Sequence, residues 1–319
     1  MSNIFWENKK VLVTGGSGFV GTHILEMLKK EGCRQIYHPT SKEWDLTIEE
    51  EVEKLFERTS PDIVIHLAGR VGGIAANKSE PGLFFYENLM MGTLVLEYSR
   101  RSNVKKVVAL AAGCGYPLDL EVPYSESDFW MGLPQQESLG YSMAKKMLIV
   151  QSWTYRRQYD FDSTILLPSN LYGPNDNFDL EKSHVVPALI RKFLYAKEHK
   201  TPTVEIWGSG HATREFLYIE DTARAILDVA ENYEESGPLN LGTGTETTIK
   251  ELVETISELV DYQGKIVWDT ERPDGQPRRF YDMTKFKDSM GYVPSTPLKE
   301  GLKKTIEWYL NTSENEKRL

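Results

Sequence analysis

Cysteine is nearly absent: Cys33 and Cys114 are the only two in 319 residues. Two thiols cannot build the disulfide framework of a small secreted domain or a cysteine-rich zinc cluster, so a reducing compartment and no metal are expected. An excess of positive charge is also missing. Lys and Arg number 37 against 47 Asp and Glu, a formal charge of -10, which excludes the broad basic surface that nucleic acid or an anionic membrane requires. Small anionic ligands stay open, because a helix N-terminus or one or two arginines suffices for them. No apolar run approaches the roughly 18 residues of a membrane span, and the polar opening, Met1 to Lys10, lacks the apolar stretch of a secretory signal. A cytoplasmic protein is expected, without a membrane or nucleic-acid partner. Repeats, low-complexity tracts and long linkers are lacking too, so any lobes should share a cleft.

What is present is an ordinary globular mixture, 40% apolar and 26% charged, of a length for one large domain or two. Short runs rich in Val and Ile stand at Lys10 to Thr14, Gln35 to His38, Asp62 to His66, Lys106 to Leu110 and Ser163 to Leu167. They read as strands buried on both faces. Helical patterns lie between them: His23 to Lys30, a stretch through Arg58 opened by a capping box of Thr47 with Glu50, and Pro81 to Arg101. This alternation is that of an α/β fold, a doubly wound parallel Rossmann sheet. Beyond Pro174 it loosens into a helix near Val185 to Ala196, strands at Thr203 to Trp207 and Glu215 to Ile219, and helices at Thr248 to Val260 and Leu298 to Leu310. We therefore expect a dinucleotide-binding domain over 1–173 and a smaller mixed α/β lobe over 174–319, some segments of which return to the first domain. The polar end, Asn311 to Leu319, should fray.

Directly after the first strand comes Gly15-Gly-Ser17-Gly18-Phe19-Val20-Gly21. Glycines here permit a tight turn and let backbone N–H groups approach a pyrophosphate at the positive end of the following helix. The second strand ends in His38-Pro-Thr-Ser41-Lys42. Hydroxyls and a lysine suit a 2'-phosphate better than the carboxylate of NAD sites does, which favours NADP(H). NAD(H) is the alternative, with Glu43 as the acid. Asp45 and Leu46 would fall near the adenine, Leu67, Ala68 and Gly69 would line the dinucleotide, and Asn88 lies on the next helix.

Tyr141 and Lys145 are spaced i, i+4 at the start of a helical stretch and so share a face. An ammonium beside a phenol favours the phenolate, which fits the pair to pass a proton.

The chain resembles the extended short-chain dehydrogenase/reductase family, and within it the GDP-L-fucose synthase branch. The likeness rests on His66-Leu-Ala-Gly-Arg-Val71-Gly72-Gly-Ile74, Gly140-Tyr-Ser-Met-Ala-Lys145, Pro168-Ser-Asn170-Leu171-Tyr-Gly-Pro-Asn-Asp-Asn-Phe178 and Ser183-His184-Val185-Val-Pro-Ala-Leu-Ile190. Trp207-Gly-Ser-Gly210, Arg214-Glu-Phe-Leu217 and Pro273-Asp274-Gly-Gln-Pro-Arg278 complete it. It implies inversion at carbons 3 and 5 of a GDP-4-keto-6-deoxy sugar, then reduction of carbon 4 by NADPH. Cys114 and His184 match the acid-base pair of the epimerisation, and Tyr141 with Lys145 the reductive pair. Pro168, Asn170, Leu171 and His184 would also face the cofactor. Val71, Gly72, Val185, Asn170, Lys192, Trp207, Arg214, Asp274 and Arg278 would line the sugar-nucleotide site, and a homodimer through the helices around Pro81 to Arg101 and Gly140 to Arg157 is implied.

One departure stands out. Where the family carries a hydroxyl two residues before the cysteine, this chain reads Ala111-Ala112-Gly113-Cys114-Gly115. Losing one positioned donor to a developing alkoxide costs about a hundredfold or more in rate, unless a water or Ser142 fills in beside Tyr141. Three further readings follow: an epimerase without effective reduction, a dehydrogenase/reductase of a different GDP-sugar such as a heptose, and a non-catalytic NADP(H)-binding scaffold.

Overall fold

Four of the five Val- and Ile-rich runs form strands buried on both faces; the fifth, at Gln35 to His38, forms a partly exposed edge strand. A computed structural model of the chain describes residues 4–179, 183–272, 274–313 and 317; Pro273 and five of the nine residues expected to fray at the C-terminus lie outside them. In chain order come α1 (Ile4–Glu7), β1 (Lys10–Thr14), α2 (Phe19–Lys30), β2 (Gln35–Tyr37), α3 (Glu49–Thr59), β3 (Ile63–His66), α4 (Ile74–Ser79), α5 (Pro81–Arg101), β4 (Lys106–Leu110), α6 (Leu139–Tyr159) and β5 (Ser163–Pro168). There follow β6 (Asn170–Tyr172), α7 (Val185–Glu198), β7 (Thr203–Trp207), β8 (Thr213–Arg214), β9 (Phe216–Tyr218), α8 (Ile219–Asn232), β10 (Gly237–Leu241), β11 (Thr247–Thr248), α9 (Ile249–Val260), β12 (Lys265–Asp269), α10 (Thr284–Met290) and α11 (Leu298–Asn311).

The main sheet is parallel throughout, with six strands in the order β10-β5-β4-β3-β1-β2. β2 adds to one side of β1 and β3 to the other, and at such a reversal a crevice opens beyond the C-terminal strand ends. The glycine loop and the Leu67 to Gly69 segment both leave the sheet there. Every residue of β3 and β10 is buried, whereas β2, at the edge, is not.

The expected capping box of Thr47 and Glu50 does not form. Asp45 lies closer and is the stronger acceptor: its Oδ1 takes the Thr47 N–H at 2.9 Å and hydroxyl at 2.7 Å, while Glu51 reaches back to the Asp45 N–H. α3 accordingly starts at Glu49.

Glycines set how closely α5 and α6 pack. A Cβ on Gly92 would lie 2.3 Å from Leu148, and one on Gly140 would lie 2.6 Å from the Pro81 carbonyl oxygen. The second of these contacts fixes the first turn of α6, where Tyr141 stands.

A first apolar core surrounds the main sheet and includes Ala223 and Ile226 of α8, Leu239 of β10, Tyr281 and Phe286. A second joins Tyr172, Val186, Phe193, Ile206, Phe216, Leu252 and Leu302. It is served by two-stranded pairings, β12 with β7, β6 with β9 and β11 with β8. Pattern alone had not resolved α8, β10 or β12. Among the described residues no helix is long and apolar enough to cross a membrane.

Candidate active site

The glycine loop is shaped by its own close approaches. Gly15 has φ +72°, and a Cβ there would meet the Ala68 nitrogen at 2.7 Å; a Cβ on Gly21 would lie 2.2 Å from the Gly15 carbonyl oxygen. Any side chain at either position would push the loop off the sheet. Gly18 is the N-cap of α2, with no side-chain cap and no acid in the first turn. The leading N–H groups of α2 are therefore offered to an anion.

Behind the loop, Thr14 Oγ1 and His66 Nδ1 share a 2.7 Å hydrogen bond, and the Ala68 N–H donates to the same Thr14 oxygen at 3.4 Å. Burial, then the Lys145 charge, hold His66 down at about 3, so it is a neutral support of the loop. Asn88 is buried and donates to the carbonyls of Arg70 at 3.0 Å and Phe84 at 2.7 Å. Its Oδ1 is buried without a partner among the described residues. A Cβ on Gly69 would lie 2.8 Å from that oxygen and 3.2 Å from Lys145 Nζ. The bare glycine thus leaves a cradle facing an unused acceptor and an ammonium, which fits the ribose hydroxyls of a dinucleotide.

At the end of β2, Ser41 and Lys42 are exposed. Glu43 turns back, its Oε2 accepting the Thr40 N–H at 3.1 Å and hydroxyl at 2.9 Å. Those bonds hold its carboxyl below the usual value and commit it locally, away from the role of a 2'-hydroxyl acceptor. Asp45 caps Thr47, as above, and Leu46 is buried in the first core.

Cys114 sits in a single 3-10 turn, Gly113–Gly115, after β4, and meets the first turns of α6. Ser142 Oγ lies 3.2 Å from its sulfur. Lys145 Nζ donates to the Leu110 carbonyl at 3.2 Å and stands 6.0 Å from the centre of the Tyr141 ring. Burial brings Lys145 down to about 8, opposed by the Cys114 charge. The phenol differs from its sequence expectation. Burial, with Cys114 adding to it, pushes Tyr141 up. Tyr141 is therefore a protonated donor at neutral pH.

His184 is the N-cap of α7, the first helix of the second core. The residue is exposed at the surface, yet the atoms packed around the imidazole desolvate it enough to hold it below the ordinary value. On the same side, Val185 and Trp207 are exposed, and Arg272 lies 5.0 Å over the Trp207 ring. Lys192 Nζ donates to the Glu205 carbonyl. Asp274 accepts the Ser209 N–H and hydroxyl, both at 2.6 Å, fastening the Trp207–Gly210 turn. Val71 is exposed; Gly72 packs on Phe84, where a Cβ would come within 3.1 Å.

Asn170 donates through Nδ2 to the Glu215 carbonyl at 2.9 Å, next to Arg214. Arg214 donates to the carbonyls of Thr213 at 2.6 Å and Gln276 at 2.7 Å. Burial, then the charge of Arg279, lower it. Two guanidiniums are thus near enough to repel one another, an arrangement that suits a diphosphate.

Arg278, selected from the sequence, turns outward into an exposed pair with Glu246, with Nε to Oε1 at 3.0 Å. Its neighbour Arg279 faces inward. Burial opposes its charge, but Tyr281 and Cys114 outweigh that and hold it above its ordinary value. Tyr281 donates to the Pro168 carbonyl at 3.1 Å, and burial pushes it up to about 12 against the pull of Arg279. The buried carboxylate of Glu215 places this segment, accepting the N–H groups of Gly244 at 2.7 Å and Tyr281 at 3.0 Å. Arg279, Tyr281 and Glu215 escaped the sequence reading. Consecutive arginines in extended chain point to opposite sides, a signal that says one faces in without saying which.

The pattern of the NAD dependent epimerase/dehydratase family matches residues 11–242. A probable GDP-L-fucose synthase 1 from Oryza sativa subsp. japonica is 40% identical over 302 residues, 94% of this chain and 92% of that protein. The GDP-L-fucose synthetase from Naegleria fowleri bound to NADP superposes with a TM-score of 0.92 at 30% identity, over 98% of this chain and 96% of that one. A GDP-D-glycero-L-gluco-heptose synthase from Campylobacter jejuni, in the presence of NADPH, gives 0.90 at 30% identity, over 96% and 99%.

Proposed function

The chain belongs to the NAD dependent epimerase/dehydratase family, in its GDP-L-fucose synthase branch, and from that premise we propose that Cys114, His184, Tyr141 and Lys145 carry its chemistry. It is an NADP(H)-dependent nucleotide-sugar epimerase/reductase. The reading the site supports best is inversion of carbons 3 and 5 of GDP-4-keto-6-deoxy-mannose, followed by reduction at carbon 4. The observation that carries it is the meeting of Cys114, Tyr141 and Lys145 beside the Gly69 cradle.

A 4-ketone acidifies the protons on both neighbouring carbons. At each carbon, one of Cys114 and His184 takes the proton and the other returns one to the opposite face. In between, the electron pair of the C–H bond rests on the carbon 4 oxygen as an enolate. When bound, NADPH supplies the hydride for carbon 4. Tyr141 gives its proton to the carbon 4 oxygen, and Lys145 beside the ring stabilises the phenolate that remains. The first turn of α2, Asn88, Gly69 and Lys145 would hold the dinucleotide, with Ser41 and Lys42 on its 2'-phosphate. Arg214 and Arg279 would take the diphosphate of the sugar nucleotide.

Ala112 favours a second reading, a different GDP-sugar such as a heptose, because the residue two before Cys114 carries no hydroxyl. The scaffold reading lacks support, since Cys114, Tyr141 and Lys145 act on one another electrostatically. We also read the chain as a cytoplasmic homodimer; the exposed Leu83, Phe85 and Tyr86 of α5, the helix that packs on α6, support that pairing.

Dialysed protein with GDP-4-keto-6-deoxy-mannose in deuterated water decides among these. Deuterium entering the sugar together with NADPH loss supports the full reaction, deuterium alone an epimerase, and neither sends the search to other GDP-sugars.

A further inference from the structure

The side chain of Ser142 is fully buried and turned toward Cys114. Its Oγ lies 3.2 Å from the sulfur and 3.1 Å from the carbonyl oxygen of the same residue, with Ser138 Oγ at 3.3 Å. The sequence offered Ser142 as a substitute for the hydroxyl missing at Ala112. In the structure its partners on that loop are the carbonyl oxygen and the sulfur of Cys114. Because it follows Tyr141, the first turn of α6 presents a phenol to the reductive step and a hydroxyl to the sulfur of the epimerising step.

Resting on the reading that Cys114 moves protons, we infer that Ser142 is a positioning residue for Cys114, its hydroxyl donating to the sulfur and favouring the thiolate half of the cycle. An O–H donor to an anion is about twice as strong as one to a neutral acceptor, so the contact stabilises the thiolate over the thiol. It also fixes where the sulfur points. The other charged or titratable groups that act on the sulfur are Tyr141 and Lys145 of α6 and Arg279 and Tyr281 of the segment before α10. Lys145 and Arg279 add favourable charge. Neither is bonded to the sulfur as Ser142 is. Were Ser142 only a tie between α6 and the Cys114 carbonyl, its loss would leave the protonation behaviour of the sulfur unchanged.

The test compares the wild type with Ser142→Ala, both still binding NADPH. Each is treated with iodoacetamide across a range of pH, and the Cys114 peptide is followed by mass spectrometry, which separates it from the buried Cys33. Removing a hydrogen bond to a charged group should shift the protonation equilibrium about tenfold, moving the alkylation midpoint up by about one pH unit. An unchanged midpoint overturns the proposal. In parallel, solvent deuterium entering GDP-4-keto-6-deoxy-mannose without NADPH should slow about tenfold with KM unchanged. A shifted midpoint in a protein whose wild type exchanges no deuterium upholds the positioning role and removes the epimerase reading instead.

Discussion

The hydroxyl of Tyr281 stands where a side chain at position 113 would begin: a Cβ built on Gly113 would lie 1.7 Å from it. Tyr281 is anchored through its hydroxyl to the Pro168 carbonyl and through its N–H to Glu215, so it cannot simply swing aside. Gly113→Ser should therefore cost about 1–3 kcal/mol as overpacking. The double variant Gly113→Ser with Tyr281→Leu should recover most of that. Thermal melts of the two check it, and equal melting temperatures would show that the loop yields instead.

Position 112 is different. Ala112 is half-buried, with extended backbone at φ -146° ahead of the Cys114 turn, and a serine fits that conformation. If the missing donor limits carbon 4 reduction, Ala112→Ser should speed that step by about tenfold or more. Deuterium exchange into the sugar should change little. Single-turnover NADPH oxidation measures the first, and an unchanged rate would point to a substrate whose oxygen lies elsewhere.

These two positions show where sequence reading stops. The strands β1 and β4 and the helix α5 were legible to the residue, because a strand buried on both faces and a long helix opened by a proline each leave an unbroken local pattern. The glycine loop and the Tyr141–Lys145 spacing were legible for the same reason. The contact of Gly113 with Tyr281 joins residues 168 apart in number, and no local pattern records it. Arg278 and Arg279 are a nearer failure. Only Arg278 sat in a matched motif, which ends one residue short of Arg279, and the anchoring of Tyr281 by Glu215, itself a distant contact, decides which of them turns inward.

That decision is testable. Arg279→Ala removes a charged donor that acts on the same region as Arg214 and should raise KM for the sugar nucleotide by about ten- to a hundredfold, with a smaller effect on kcat. Arg278→Ala breaks an exposed pair worth about 0–1 kcal/mol and should leave KM within about twofold. Steady-state kinetics on both variants checks the assignment; a larger effect from Arg278 would mean that the segment turns over when substrate binds.

Lys145 gives the pH dependence. Burial lowers it to about 8, so in the free enzyme it is charged below that pH and neutral above. A neutral amine cannot stabilise the phenolate that Tyr141 becomes on giving up its proton. Since kcat/KM reports the free enzyme, its value for the reductive step should fall as pH rises through about 8, well before a free lysine would titrate. Lys145→Met should abolish that limb and leave a flat rate lower by about a hundredfold or more. The Cys114 charge, which opposes the effect of burial on Lys145, sharpens the expectation. In Cys114→Ser that support is gone, and the limb should move to lower pH. A wild-type profile flat to pH 9.5 would mean that Lys145 keeps its proton, and that the cleft is wetter than its burial implies.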